Sequence, residues 1–198
     1  MILRLVRTLL LLLLVAGLAG CPVDSVNPIS PVETAEADPT IHGVWRYQAK
    51  DELTYVHIGP ELALRTLSDP AADKHKRTRI VVIDHKANAM TDEAYIAHGS
   101  RVGKQRFLNV VQLDGGPAGF TFVRYALADR DTLRFSSINQ EALKAAISAG
   151  LVKGRTRGEG LSARTVITAE SAEVADFLRR NGDKLFGAPM TLKRVRNG

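Results

Sequence analysis

Apolar positions in this chain fall into short runs separated by polar turn clusters, and most runs are too brief for helices. Residues 43–48 and 54–58 read as a first strand pair around Lys50-Asp51-Glu52. Ile80-Val81-Val82-Ile83 is a continuous apolar run, suited to a buried strand at 78–84. Residues 94–100 are a weaker strand candidate. Strands at 106–113, 119–127 and 132–137 are divided by Asp114-Gly115-Gly116-Pro117 and by Asp129-Arg130-Asp131, which predicts an antiparallel meander. Another pair is predicted at 151–157 and 161–168 through Gly158-Glu159-Gly160, and a last strand from Met190 to Val195.

Two segments carry helical periodicity instead. Gln140 to Ala149 places Leu143 and Ile147 on one face, with Asn139 as N-cap and Gly150 as the stop. Ala172 to Arg180 has Val174, Phe177 and Leu178 as its stripe, Ser171 as cap and Asn181-Gly182 as terminator. Arg179 and Arg180 suit its negative end. The expected fold is mainly β within the α+β class: an antiparallel barrel or strongly curved sheet of about eight strands, with two helices.

The N-terminus obeys a different pattern. Arg4 and Arg7 precede an apolar run from Leu9 to Leu18, then Ala19 and Gly20. That is the layout of a secretory signal peptide, and the run is short of the ~20 apolar residues a spanning helix needs. Leu18-Ala19-Gly20-Cys21 resembles the lipobox of bacterial lipoproteins at every position. The resemblance implies a signal peptide at 1–20, recognition by the signal peptidase through Leu18, Ala19 and Gly20, and lipid attachment to Cys21. Two or more acyl chains, at ~0.8 kcal/mol per buried methylene, give stable membrane anchoring. The expected location is the periplasmic side of the envelope. Pro22 stands where inner-membrane retention would place an aspartate, which favours the outer membrane. Cys21 is the only cysteine, so once it is acylated no disulfide can form, and cysteine metal sites and a cysteine nucleophile are excluded with it.

Residues 21–40 read as the lipidated cysteine and a flexible tether, because Pro22, Pro28, Pro31 and Pro39 interrupt regular structure and the only charges are acidic. The alternative is an arm that packs along the domain. Residues 41–198 make one domain's worth of chain, large enough to bury a core without staples. The whole chain carries +6; removing the two signal arginines and the four tether carboxylates leaves +8 on this domain. A basic exported domain suits an anionic envelope component, and nucleic acid is not an expected partner.

Gly43-Val44-Trp45 resembles the opening Gly-x-Trp of lipocalins. That resemblance implies a tryptophan closing one barrel end, with an arginine from the last strand on its ring. Arg194 is the candidate. A second set of candidates comes from the meander. Phe120, Phe122 and Arg124 should share one strand face and Thr121, Val123 and Tyr125 the other. Trp45, Phe120, Phe122, Arg124, Tyr125 and Phe135 are the candidate ligand-binding residues, with Arg124 able to meet a carboxylate or phosphate. Core packing of the same rings is the competing reading. The five histidines show no metal spacing, and Asp84-His85 point to opposite faces. No catalytic residues, metal or cofactor are assigned. The expected function is non-enzymatic: binding a small apolar or amphiphilic ligand or an envelope partner near the membrane. The rivals are a hydrolase acting on envelope polymers and a purely structural interaction module.

Overall fold

The computed structural model describes residues 24–49, 52–61, 76–86, 89–113, 118–157 and 164–196. Leu18, Ala19, Gly20 and Cys21 of the predicted lipobox lie outside them.

Eight antiparallel strands close into a barrel. They are β1 (Gly43–Ala49), β2 (Glu52–Pro60), β3 (Arg77–Lys86), β4 (Ala89–Val102), β5 (Gln105–Gln112), β6 (Thr121–Asp129), β7 (Thr132–Ser137) and β10 (Met190–Arg194). Their order around the barrel is β1-β10-β7-β6-β5-β4-β3-β2, and β2 pairs back with β1. Every neighbour is sequential except β1 and β10, whose pairing closes the barrel, and β7 and β10, which are joined through the helical layer. That connection holds α1 (Gln140–Ser148), the hairpin β8 (Gly154–Arg157) and β9 (Arg164–Ile167), and α2 (Ser171–Leu185).

Strand alternation divides the apolar residues into two cores. Inside the barrel lie Trp45, Ile58, Ile80, Tyr95, Leu108, Tyr125, Leu133 and Leu192. Trp45, Leu133 and Leu192 have no accessible surface, so the interior around them is solidly packed. The second core lies outside the wall, where Phe107 and Phe122 meet Leu143 of α1 and Val174, Phe177 and Leu178 of α2. β5 and β6 are therefore covered on both faces, while the apolar run of β3 is not. Ile80 is buried, but Val81, Val82 and Ile83 are only half-buried. The weak candidate at 94–100 belongs to β4, the longest strand.

Both helices form, with one boundary corrected. Asn139 caps α1, its Oδ1 accepting from Ala142 N at 3.0 Å. α2 does not stop at Asn181-Gly182 but runs on to Leu185, which is buried and extends the apolar stripe by two further turns. Gly182 is tolerated because the helix passes close to Gln105, whose Oε1 would lie 3.0 Å from an added Cβ. Ser171 opens the helix rather than capping it; Glu170 holds the cap position without a side-chain bond.

The predicted tether is corrected from residue 24 onward, which packs as an arm along the domain. Asp24 and Ser25 are buried beside Phe120, and backbone bonds from Val26 N to Ile167 O (2.9 Å) and from Phe120 N to Ser25 O (2.8 Å) join barrel to hairpin. The arm then crosses β5 and β4: Ile29 N donates to Asn109 Oδ1 at 2.7 Å, and Ser30 bonds Ser100 at 2.5 Å. It ends in a 3-10 turn, Pro39–Ile41, beneath the barrel. The physical reason is burial: Ile29 within the arm and Ile41 at its end are each almost fully buried, so Pro28, Pro31 and Pro39 punctuate a docked segment of bends and 3-10 turns.

Candidate functional site

The barrel has two unlike ends. At one, Ile41 and Trp45 form a plug, and Trp45 Nε1 donates to Ile41 O at 2.8 Å. Arg194 on β10 stands 4.0 Å over the indole ring. Its guanidinium also donates to the carbonyls of Thr40 (2.7 Å), His42 (2.6 Å) and Arg130 (2.9 Å). Gly43 sits at φ +135, and a Cβ there would lie 2.6 Å from Arg194 Nη1. Gly43, Trp45 and Arg194 thus make one device that closes the barrel. Trp45, having no exposed surface, is a plug and lines no ligand space.

The meander candidates separate as alternation requires. Tyr125 and Phe135 pair across β6 and β7 on the inner face. Phe122 and Phe120 lie outside, in the core under the helices. Arg124 is also outside: it stacks 4.9 Å from the Phe186 ring centroid and reaches Asp183 at 3.4 Å. The six predicted residues therefore do not converge on one interior site.

What Arg124 and Tyr125 do border together is a groove of about 670 Å³ beside the β4–β5 turn, lined from both faces of the wall. The β4–β5 turn brings Lys104 and Gln105 to it, β5 brings Arg106, and β6 and β7 bring Arg124, Ala126, Arg134 and Ser136. Register explains the gathering, because Arg124 pairs with Ser136 and Ala126 with Arg134. Small Ala126 leaves room beside the exposed Arg134, for which no ion pair is seen among the described residues. Thr40, Tyr125, Leu127 and Pro189 complete the lining. Four cationic side chains line this space with no carboxylate among the lining residues. Two acids partly offset them from the edge: Asp38 bonds Arg106 at 2.8 Å, and Asp183 makes the longer contact with Arg124.

The Asp38 cluster ties the groove to the arm. Tyr125 Oη donates to Asp38 at 3.0 Å, and Thr40 donates to it through both backbone and hydroxyl. Burial alone would raise the Asp38 carboxyl, but the bonds from Thr40 and Tyr125 and the charge of Arg106 hold it below the ordinary carboxylate range. Burial and the neighbouring Asp38 charge push the Tyr125 phenol well above its ordinary value.

Asp84 and His85 stand on opposite faces of β3. Asp84 accepts from Thr54 Oγ1 at 2.5 Å, whereas His85 packs edge-on against Tyr55. Among the described residues, no three His, Cys, Asp or Glu side chains gather in a metal-holding group. Lys104, Arg106, Arg134 and Ser136 escaped the sequence reading. One signal was present: counting outward from the turn at Arg130 sets Arg134 opposite Ala126 and Ser136 opposite Arg124. Comparison with known protein families, curated proteins and solved structures finds no match.

Proposed function

We propose that this protein is a non-enzymatic, lipid-anchored component of the periplasmic side of the envelope, favouring the outer membrane, whose cationic groove binds the anionic headgroup of an amphiphile. The observation that carries the reading is the groove itself, with Lys104, Arg106, Arg124 and Arg134 around a space of about 670 Å³. A phosphate or carboxylate placed there meets guanidinium forks that bind such groups through paired, charge-assisted bonds. Ala126, Leu127 and Pro189 supply apolar contact for the part of the molecule next to the headgroup. The volume falls in the range of about 300–1,000 Å³ usual for small-molecule sites. The anchor rests on the lipobox at Leu18 to Cys21.

The test compares monomeric lysophosphatidylglycerol with lysophosphatidylcholine on soluble protein beginning at Asp24, so that the arm is kept. The anionic lipid should raise the melting temperature saturably, as any ligand of the native state must. Arg134→Ala should weaken it about tenfold, equivalent to ~1.4 kcal/mol and to one charge-assisted hydrogen bond. Equal shifts from both lipids, or an unchanged affinity in Arg134→Ala, would dismiss the groove. Cys21→Ala in the full chain should abolish fatty-acid labelling, and persistence of the label would dismiss the anchor.

A further inference from the structure

The arm enters the fold at Asp24, three residues after Cys21. Three residues reach at most ~11 Å, whatever their conformation. Asp24 is itself fixed: it is buried, its backbone N bonds Phe120 O at 2.8 Å, and its carboxyl takes bonds from Phe122 N (2.7 Å) and Gln140 (2.9 Å). If Cys21 carries the lipid, as proposed above, the domain cannot float on a long leash. The part of the barrel beside Asp24 is held close to the bilayer.

Topology says which part that is. Phe120 lies at the start of β6, so the arm enters at the end where β1 meets β2, β3 meets β4, and β5 meets β6. This is the end away from the Trp45 plug. It also carries exposed apolar side chains: Met90 near the β3–β4 connection (67% exposed), Leu113 just after β5 (44%) and Met190 at the start of β10 (37%). The opposite end presents a single exposed apolar side chain, Val195 (38%), set among the charges of Arg130, Asp131 and Arg196. Isolated apolar side chains on a surface need no explanation. Three at the end to which the anchor is leashed are a different matter.

We infer that this unplugged end is a bilayer-docking surface, on which Met90, Leu113 and Met190 enter the headgroup region of a phospholipid membrane while the docked arm holds the anchor beside them. The contact is apolar: the acids Glu52, Asp92 and Glu93 on the flanking strands outnumber Lys86 at the end of β3 and do not favour anionic lipid. Neutral lipid should serve, which separates this surface from the cationic groove.

The experiment uses full-length acylated protein in neutral phosphatidylcholine vesicles. Acylation of Cys21 leaves no other thiol in the chain, so Met90→Cys, Leu113→Cys and Arg130→Cys each accept one environment-sensitive fluorophore. Emission at 90 and 113 should shift to the blue and be quenched by spin-labelled lipid, while emission at 130, on the plugged end, does neither. A flexible Gly-Ser insertion of about twelve residues between Val23 and Asp24 adds ~19 Å of reach and should relieve at least half of the quenching. Equal response at all three sites, or a stronger one at 130, overturns the docking surface even if acylated protein still sediments with vesicles, which leaves the anchor standing. Unchanged quenching after the insertion overturns the role given to the short leash. Protein that carries no acyl group on Cys21 removes anchor and docking surface together.

Discussion

Asp24 shows how much one residue can hold together in a segment that reads as unstructured. Its carboxyl group accepts from the barrel through Phe122 N and from the helical layer through Gln140, while its carbonyl accepts from Ile167 N at 2.8 Å in the β8–β9 hairpin. Desolvation raises its pKa from 3.8 to about 8, and the bonds from Phe122 and Gln140 only partly oppose the shift. Between those two values the folded chain binds more protons than the unfolded one. Stability contributed by this group is therefore full below about pH 4, declines as pH rises, and is gone above about pH 8. Asn in its place can accept from Phe122 N and donate to a rotated Gln140. Asp24→Asn should accordingly flatten the decline, and urea unfolding of both proteins at pH 5 and pH 8.5 measures it. A parallel decline in the two would mean that another group is responsible.

Among the elements, α2 best separates what pattern dictates from what packing decides. Its stripe of Val174, Phe177 and Leu178 was plain from spacing, and all three are buried against the outer wall. Phe177 is 3% exposed, so Phe177→Ala should cost about 3–5 kcal/mol in chemical denaturation. A loss under about half a kcal/mol, the size of an ordinary surface change, would mean the helix does not belong to the core. The helix runs past its sequence stop signal for a physical reason. Asn-Gly is a stop signal in isolation, but burial of Leu185 and the close pass at Gln105 override it. Strand positions were legible because turns such as Asp129-Arg130-Asp131 punctuate them, and the Trp45–Arg194 pairing was legible from the chain's two ends. The groove was not. Lys104, Arg106 and Arg134 are ordinary solvent-facing charges until strand register sets them around one space. The arm was hidden by composition, because four prolines and four carboxylates suggest disorder unless the buried Ile29 is weighed against them.

At the scale of the whole molecule, the arm decides where the folding unit begins. Sequence alone would start a soluble domain near Ile41, beyond the prolines. That boundary would discard Ile29, buried over the outer wall, and the bonds to Asn109 and Ser100. It would also remove Asp38, which Arg106 and Tyr125 share, and the Thr40 carbonyl that Arg194 holds beneath Trp45. Much of this loss is softened, because polar groups uncovered with the arm regain water. The apolar part is not: fully burying an aliphatic side chain contributes about 1.5–3 kcal/mol, and Phe120 loses cover along with Ile29. A chain beginning at Ile41 should therefore be less stable than one beginning at Asp24 by more than about 2 kcal/mol. Its Trp45 emission should shift to the red as the plug loosens, and its exposed wall should bind a hydrophobic dye. Equilibrium urea unfolding of the two chains, followed by that single tryptophan, makes the comparison. Equal midpoints and identical emission would show that the barrel closes without its arm. The leash proposed from Cys21 would then end at a detachable segment, and a domain so anchored would be free to turn any face to the membrane.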